Sequence, residues 1–320
     1  MKSLGHDHLI PDSLILNNVP WREYLDENVT GDIRHPHDYR DAARTFLEGE
    51  ENRVGAKLPF TWDDDFRILP NSLTLWSGIN GHGKSLITQQ AALYFLNQQY
   101  SSREEKILIW SPELPPEVTV ARILKQATGL KNPTEKFQDE IFNFIEDRLY
   151  LYVREHNVTP NELIGMIRFA VQELKVTTII LDSLMKVRLT DRSDNLHLHQ
   201  KNFCNTLANE CRGSGLSIFL VVHSRKRESE NQRIGKFDVK GSGDLVDLCD
   251  CLVAVSRNKK KSEAQMCGDT DRDDEPDGWV SVQKNRHGGI EPSFPVWFLP
   301  EPMQFVKSDR ERPLCLIGRV

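Results

Sequence analysis

The stretch Ser77–Ser85 reads SGINGHGKS and sits between the apolar run Leu73–Trp76 and the helix-compatible segment KSLITQQAALYFLNQQY. Strand, glycine-rich turn and helix in immediate succession leave few folds open, because the helix must begin where the strand ends. Gly78, Gly83, Lys84 and Ser85 fall in the register G-x-x-x-x-G-K-[ST]. Glycines at that spacing let successive backbone N–H groups face an anion; the lysine reaches outer phosphates and the hydroxyl suits Mg²⁺. A helix opening at Gly83 adds its positive dipole end. Gly78, Ile79, Asn80, Gly81, His82, Gly83, Lys84, Ser85 and Leu86 therefore read as a cradle for a nucleoside triphosphate.

From residue 68 onward, short β-rich runs alternate with helical ones. The strands are SLTLWS (72–77), KILIWS (106–111), LYLYV (149–153), TTIILD (177–182), LSIFLVVH (216–223) and CLVAVS (251–256). Helical patterns run to Tyr100, across 116–147, over 160–174 and over about 193–212. The helix at Pro160 carries its own start signal, the capping box Thr159-Pro160-Asn161-Glu162. Nearly continuous apolar strands alternating with helices imply an α/β fold with a mostly parallel sheet covered on both faces. After Ser256 no helix is expected: GWVSVQKN (278–285) and FPVWFL (294–299) read as a closing β-pair. The charged segment RNKKKSEAQMCGDTDRDDEPDG (257–278) reads as a surface loop.

Residues 1–60 are polar, and only HDYRDAARTFLEG (37–49) has a helical pattern. They read as an arm or linker ahead of one domain over 61–320. The apolar runs stop short of the ~18 residues a membrane span needs, and MKSLGHDHLIPD has no apolar core of a signal peptide. A cytoplasmic protein is the expectation. The six cysteines contain no C-x-x-C pair, so buried reduced thiols are expected rather than a zinc site. A net charge of −6 argues against a uniformly basic nucleic-acid binder and leaves room for a local basic patch.

Ligands of open parallel sheets bind beyond the carboxyl ends of the strands, and those ends carry chemistry here. TIILDS ends in Asp182, placed to hold a Mg²⁺ shell together with Ser85. ILIWSPELPPE presents two acids, Glu113 and Glu117, either of which could polarise an attacking water. IFLVVHS ends in His223, an imidazole able to donate to a terminal phosphate. Lys284 and Arg286 in VQKNRHGG are two apart on a strand, hence on one side of the sheet. They form a solvated face or a pair reaching a neighbour's phosphates.

Taken in order, the phosphate loop, strand-Glu, strand-Asp, strand-His with a basic loop, KGSGDLVDLCDCLVAVSRN and Lys-x-Arg form a recognisable set. The chain resembles the RecA-like motor domain of ring-shaped replicative helicases, the group containing bacterial DnaB, mitochondrial Twinkle and phage primase-helicases. The resemblance spans about residues 60–300. It implies a RecA-like P-loop NTPase core, a hexameric ring, ATP hydrolysis with Mg²⁺, 5′→3′ translocation on single-stranded DNA, and a separate primase or replisome partner. A bacterial or phage-infected cell is the implied setting. By the same resemblance Lys84 and Ser85 are the Walker A pair, and Asp182 is the Walker B acid. SPEL is similar to the family's SLEM element, which favours Glu113 as base. His223 is the implied phosphate sensor, Arg286 with Lys284 the finger acting in trans, and Arg257 with Phe298 the adenine sandwich. Primase activity within the chain is not expected, since the first cysteine is Cys204 and only about 60 residues precede the core.

In the family, loops after the Asp and His strands face the central hole. From Ser224 to Lys240 the cations Arg225, Lys226, Arg227, Arg233, Lys236 and Lys240 outnumber Glu228, Glu230 and Asp238. Lys186 lies in the other loop, and Gly241, Ser242 and Gly243 could bring main-chain amides to a phosphate. Without aromatic stacks, backbone tracking is expected. The rival expectation is a RecA-like DNA-binding or regulatory ATPase that does not unwind, to which the short N-terminal arm lends weight.

Overall fold

The computed structural model describes residues 35–47, 55–61, 66–97, 101, 103–154, 158–189, 196–224, 235–239, 243–286 and 289–316. The chain packs as two units, Met1–Glu51 and Asn52–Val320. In the first, a 3₁₀ turn Pro36–Tyr39 runs into helix α1 (Arg40–Leu47), with His35 and Asp38 capping the turn reciprocally.

The second unit is built on one nine-stranded sheet and a two-residue pair, β1 (Ala56–Lys57) with β2 (Arg67–Ile68). The sheet strands are β3 (Leu73–Gly78), β4 (Ile107–Trp110), β5 (Leu149–Leu151), β6 (Thr178–Leu181), β7 (Ser217–His223), β8 (Cys251–Arg257), β9 (Gly278–Asn285), β10 (Ser293–Leu299) and β11 (Gln304–Val306). Their order is β11-β10-β9-β8-β3-β7-β6-β4-β5. Every pairing from β8 across to β5 is parallel, while β8–β9, β9–β10 and β10–β11 are antiparallel. The mostly parallel α/β sheet with its closing antiparallel strands thus matches the sequence reading, extended by β11. Strand β3, buried at every residue, is the central element between β7 and β8.

Alternate residues of the strands feed two cores. Trp76, Ile109, Ile180 and Phe219 pack on one side with helices α2 (Lys84–Leu96), α3 (Pro116–Thr128) and α4 (Glu135–Ile145). Leu75, Trp110, Leu181 and Leu220 pack on the other with α5 (Pro160–Gln172), α6 (Leu196–Ser214) and α7 (Gly243–Leu248). Gly129, in the left-handed region at φ 72°, ends α3, so the 116–147 pattern is two helices rather than one. The capping box at Thr159 is formed as expected, with Glu162 Oε2 accepting from Thr159 N–H at 2.7 Å.

Helix α2 is buried nearly all round, and side-chain amides hold it there. Gln90 exchanges two bonds with the backbone of Phe305, at 2.8 and 2.7 Å. Gln126 donates to Leu86 O and Met303 O, and Gln304 donates to Gln126 O and Leu314 O. Buried amides with their partners made cost little, whereas leaving one unmade costs about 1–3 kcal/mol, so β11 is fixed to α2 in one register.

The segment 257–278, read as a loop, contains helix α8 (Lys259–Met266). Asn258 accepts from Lys261 N–H at 3.2 Å, and the buried Lys261 ammonium donates to Glu275 O at 2.6 Å and pairs with Asp277 at 2.9 Å. A lysine run that looks solvated is here tied down by its third member. The cysteine expectation is corrected in part. Cys204, Cys211, Cys249 and Cys251 are free and buried, but Cys267 and Cys315 are free and exposed.

Burial pushes the thiols of Cys204, Cys211 and Cys249 up to about 12, and Cys251 higher still. A disulfide reagent at about pH 8 should titrate Cys267 and Cys315 quickly and the other four only on unfolding. Because unfolded thiols deprotonate near pH 8.5, the native state binds more protons above that pH. The thiols' contribution to stability is therefore full below about pH 8.5 and lost as pH rises towards about 12. Urea melts through the alkaline range check that slope.

Candidate nucleotide site

Strand β3 delivers the chain to a tight loop whose glycines are individually required. A Cβ on Gly78 would lie 2.8 Å from the Val255 carbonyl oxygen and 3.0 Å from Lys84 Cγ. Gly81 and Gly83 sit at φ 80° and 89°, the left-handed region. His82 is buried, and its Nδ1 accepts from the Arg257 N–H at 3.2 Å, tying the loop to the end of β8. Lys84 opens α2 and donates to Gly78 O at 2.9 Å and Ile79 O at 3.1 Å. Its ammonium is thus folded onto the loop and within reach of an anion lying in it. Burial lowers the Lys84 pKa, an effect opposed by the charges of Asp182 and Glu113.

A cavity of about 670 Å³ opens above the loop and is lined by Lys84, Ser85, Glu113, Asp182 and His223. These five residues, expected from four separate strand ends, come together because β3, β4, β6 and β7 are parallel. Asp182 is buried and accepts from Ser111 Oγ at 3.2 Å. Burial raises its pKa most, the Glu113 charge adds to this, and hydrogen bonds from Ser85 and Ser111 and the Lys84 charge oppose it. Ser183 Oγ donates to Glu113 Oε1 at 3.3 Å and lies 3.5 Å from His223 Nε2. Glu113 faces this cavity; Glu117 lines only a neighbouring one of about 450 Å³ beside Tyr152 and Arg154.

Asn80, Gly81, Gly83 and Leu86 complete the loop side of the cavity, while Gly78, Ile79 and His82 stand behind it. Arg257 and Phe298 lie at the same end of the sheet, Arg257 opposite Gly278 and Phe298 two residues beyond Val296, which also pairs with Gly278. The Phe298 ring packs on Phe305 at 4.9 Å, and Phe305 Cζ lies 2.8 Å from the position of a Cβ on Gly83. Phe305, Ser111, Ser183, Met185 and Arg122 escaped the sequence reading. Arg122 lines the cavity from α3, one helical turn after the buried Thr119, and that i, i+3 spacing is the signal that could have found it. Lys186, expected near DNA, lines the cavity as well.

Lys284 and Arg286 lie elsewhere. Lys284 pairs with Leu252 and Asn285 with Cys251, which aligns with Thr74 near the start of β3. The six residues of β3 put the phosphate loop roughly 20 Å away, at ~3.3 Å per residue. Lys284 Nζ donates to the carbonyls of Val246, Asp247 and Cys249 at 2.7, 3.0 and 2.8 Å, closing the end of α7. Of the expected DNA contacts, Lys236 is exposed in a 3₁₀ turn and Gly243 begins α7. Arg225, Lys226, Arg227, Arg233, Lys240, Gly241 and Ser242 lie outside the described residues.

The site chemistry suits a triphosphate with a hard cation: the Ser85 hydroxyl and the buried Asp182 carboxylate are oxygen donors of the kind Mg²⁺ takes. No group of His, Cys, Asp and Glu able to hold a metal alone is found among the described residues. Their two oxygens would therefore need phosphate and water to complete a shell.

Residues 62–229 match the family model of the AAA domain. The fold superposes on the solved ATPase domain of a replicative helicase with a TM-score of 0.67 at 14% identity, covering 85% of this chain and 99% of that one. It superposes on a DnaB-like replicative helicase, solved for its interactions with primase, with a TM-score of 0.66 at 13% identity, over 86% and 67% of the two chains. No curated protein matches the sequence. The fold is that of a DnaB-like, RecA-type motor domain.

Two glycine substitutions separate the roles of loop geometry. Gly81→Ala meets no atom within 4 Å and carries only positive-φ strain, about 1–2 kcal/mol, with the fold retained. Gly78→Ala collides with backbone that cannot yield, and should lose nucleotide binding as well as stability. Titration with a fluorescent nucleotide beside urea melts distinguishes the two.

Proposed function

The chain belongs to the AAA domain family, and from that premise we propose that it is an ATP-driven replicative DNA helicase, assembling as a hexameric ring and moving 5′→3′ on single-stranded DNA. One observation carries the reading. Lys84, Ser85, Glu113, Asp182 and His223 converge on one cavity, while Lys284 and Arg286 stand at the far end of the same sheet, where only another copy's phosphates are within reach.

In this reading the loop N–H groups and Lys84 hold the β- and γ-phosphates. Mg²⁺ would be held by Ser85 and Asp182, and when bound it supplies charge neutralisation between the phosphates. Glu113 accepts a proton from the attacking water and orients it in line with the γ-phosphorus. His223 faces the γ-phosphate and senses its departure at the start of the segment after β7, whose basic residues track the DNA backbone. Arg257 and Phe298 flank the base. Arg286, with Lys284, reaches the triphosphate of the neighbouring subunit and stabilises charge on its equatorial oxygens. Residues 1–60 serve as the arm ahead of a motor domain over 61–320, and a separate primase or replisome component is the expected partner. No helix among the described residues is long and apolar enough to cross a membrane.

A forked DNA duplex with ATP, beside mass measurement with and without nucleotide, tests the proposal. Strand displacement by an assembled ring is expected; ATP-dependent DNA binding by filaments or monomers without displacement would replace it with a regulatory or recombinase-type ATPase. Glu113→Gln should lower turnover by about 10²–10⁴-fold with nucleotide binding retained. Mixing Arg286→Ala with Lys84→Ala subunits should restore turnover at mixed interfaces, and verified mixed rings without any recovery would remove the trans assignment.

A further inference from the structure

The arginine at the far end of the sheet is held by a buried carboxylate that the sequence hides between two cysteines. Asp250 is 5% exposed and lies just before β8. Its Oδ2 accepts from the Leu73 N–H at 3.0 Å, and its Oδ1 pairs with Arg286 Nη1 at 3.0 Å. The backbones are locked as well: Asp250 N–H donates to Leu73 O at 2.9 Å, and Arg286 N–H donates to Asp250 O at 2.9 Å. Arg286 Nη2 donates to the Asp247 carbonyl at 2.8 Å. One edge of the guanidinium is therefore occupied by Asp250 and the end of α7, while the residue remains 39% exposed.

We propose that Asp250 is the positioning residue for Arg286: it fixes the guanidinium to the start of the central strand so that its remaining N–H groups face a neighbouring copy's triphosphate. This rests on the reading of Arg286 as a trans-acting group. A surface arginine otherwise samples many rotamers, and each would have to be frozen out when the phosphate arrives. A charge-assisted bond to a buried acid removes that freedom beforehand. Because the acid is itself bonded to β3, the strand that carries the phosphate loop, the geometry of the donating group is set by the same element as the accepting one. The Asp250 charge is not brought near the reacting phosphate in its own subunit, since the length of β3 intervenes.

The test is a kinetic cycle on the assembled full chain. Asp250→Asn should lower ATP turnover by about 10²-fold with KM for ATP, ring mass and single-strand DNA binding near those of the parent. The double variant Asp250→Asn, Arg286→Ala should be no slower than Arg286→Ala alone, since the carboxylate acts through the arginine. Mixed with Lys84→Ala subunits, Asp250→Asn subunits should regain turnover, because their phosphate sites are intact and only the donated arginine is misplaced. A fully additive double variant, or no recovery on mixing, overturns the positioning role. If Arg286→Ala itself leaves turnover unchanged, the trans reading falls first; if it is slow while Asp250→Asn matches the parent, only the positioning role falls. Should Asp250→Asn fail to assemble, Arg286→Lys reads the same link. It keeps the charge but cannot span the Asp250 carboxylate and the Asp247 carbonyl, so it should be as slow as Arg286→Ala, and retained turnover overturns the proposal.

Discussion

A parallel strand buried on both faces can present polar chemistry only where it ends. β3 shows the constraint at its strictest: its residues are enclosed by β7 and β8 in the sheet and by packed helices above and below. Its backbone groups are paired along the ladder, so the one place where N–H groups can turn outward is the loop after Gly78. The same constraint acts on β4, β6 and β7, and since all run the same way their polar ends meet. Convergence of Lys84, Glu113, Asp182 and His223 follows from sheet direction.

The electrostatics of the cavity follow from how dry it is. Lys84 and Asp182 are buried, and each is pushed towards its neutral form by that burial. Each also holds the other charged, with the Ser85 and Ser111 hydroxyls favouring the carboxylate. A site so arranged gains from a ligand bringing both negative oxygens and a cation, because each new charge meets an opposite one that lacks water. The amide ties from Gln90, Gln126 and Gln304 keep α2 from relaxing as that charge enters. Phe305, held by Gln90, braces Gly83 from behind.

Much of this was legible in the sequence. A glycine-lysine loop after an apolar run leaves few alternatives, and an acid or imidazole closing a strand pattern marks a strand end whatever its role. The strands β3, β4, β6, β7 and β8 and the capping box at Thr159 could be read because each depends on near neighbours. What escaped depends on distant ones. Helix α8 is stabilised by Lys261 burying its ammonium against residues 275 and 277, so the pattern KKKSE alone looks solvated. Phe305 matters only because Gln90 reaches it across the fold. Ser183 gains its contacts from Glu113 and His223, residues 70 and 40 positions away. Asp250 looked like part of an apolar strand start, since nothing local reveals that Leu73 and Arg286 meet it.

The separation of Lys84 from Arg286 along β3 also has a consequence for symmetry. A molecule with its acceptor at one pole and its donor at the other cannot satisfy itself by twofold pairing, which places like patches in contact. Copies that complement each other in this way stack head to tail, each related to the next by one fixed rotation and rise. When that rotation divides a full circle without rise, the series closes and no pole is left over; any residual rise winds it into an open helix.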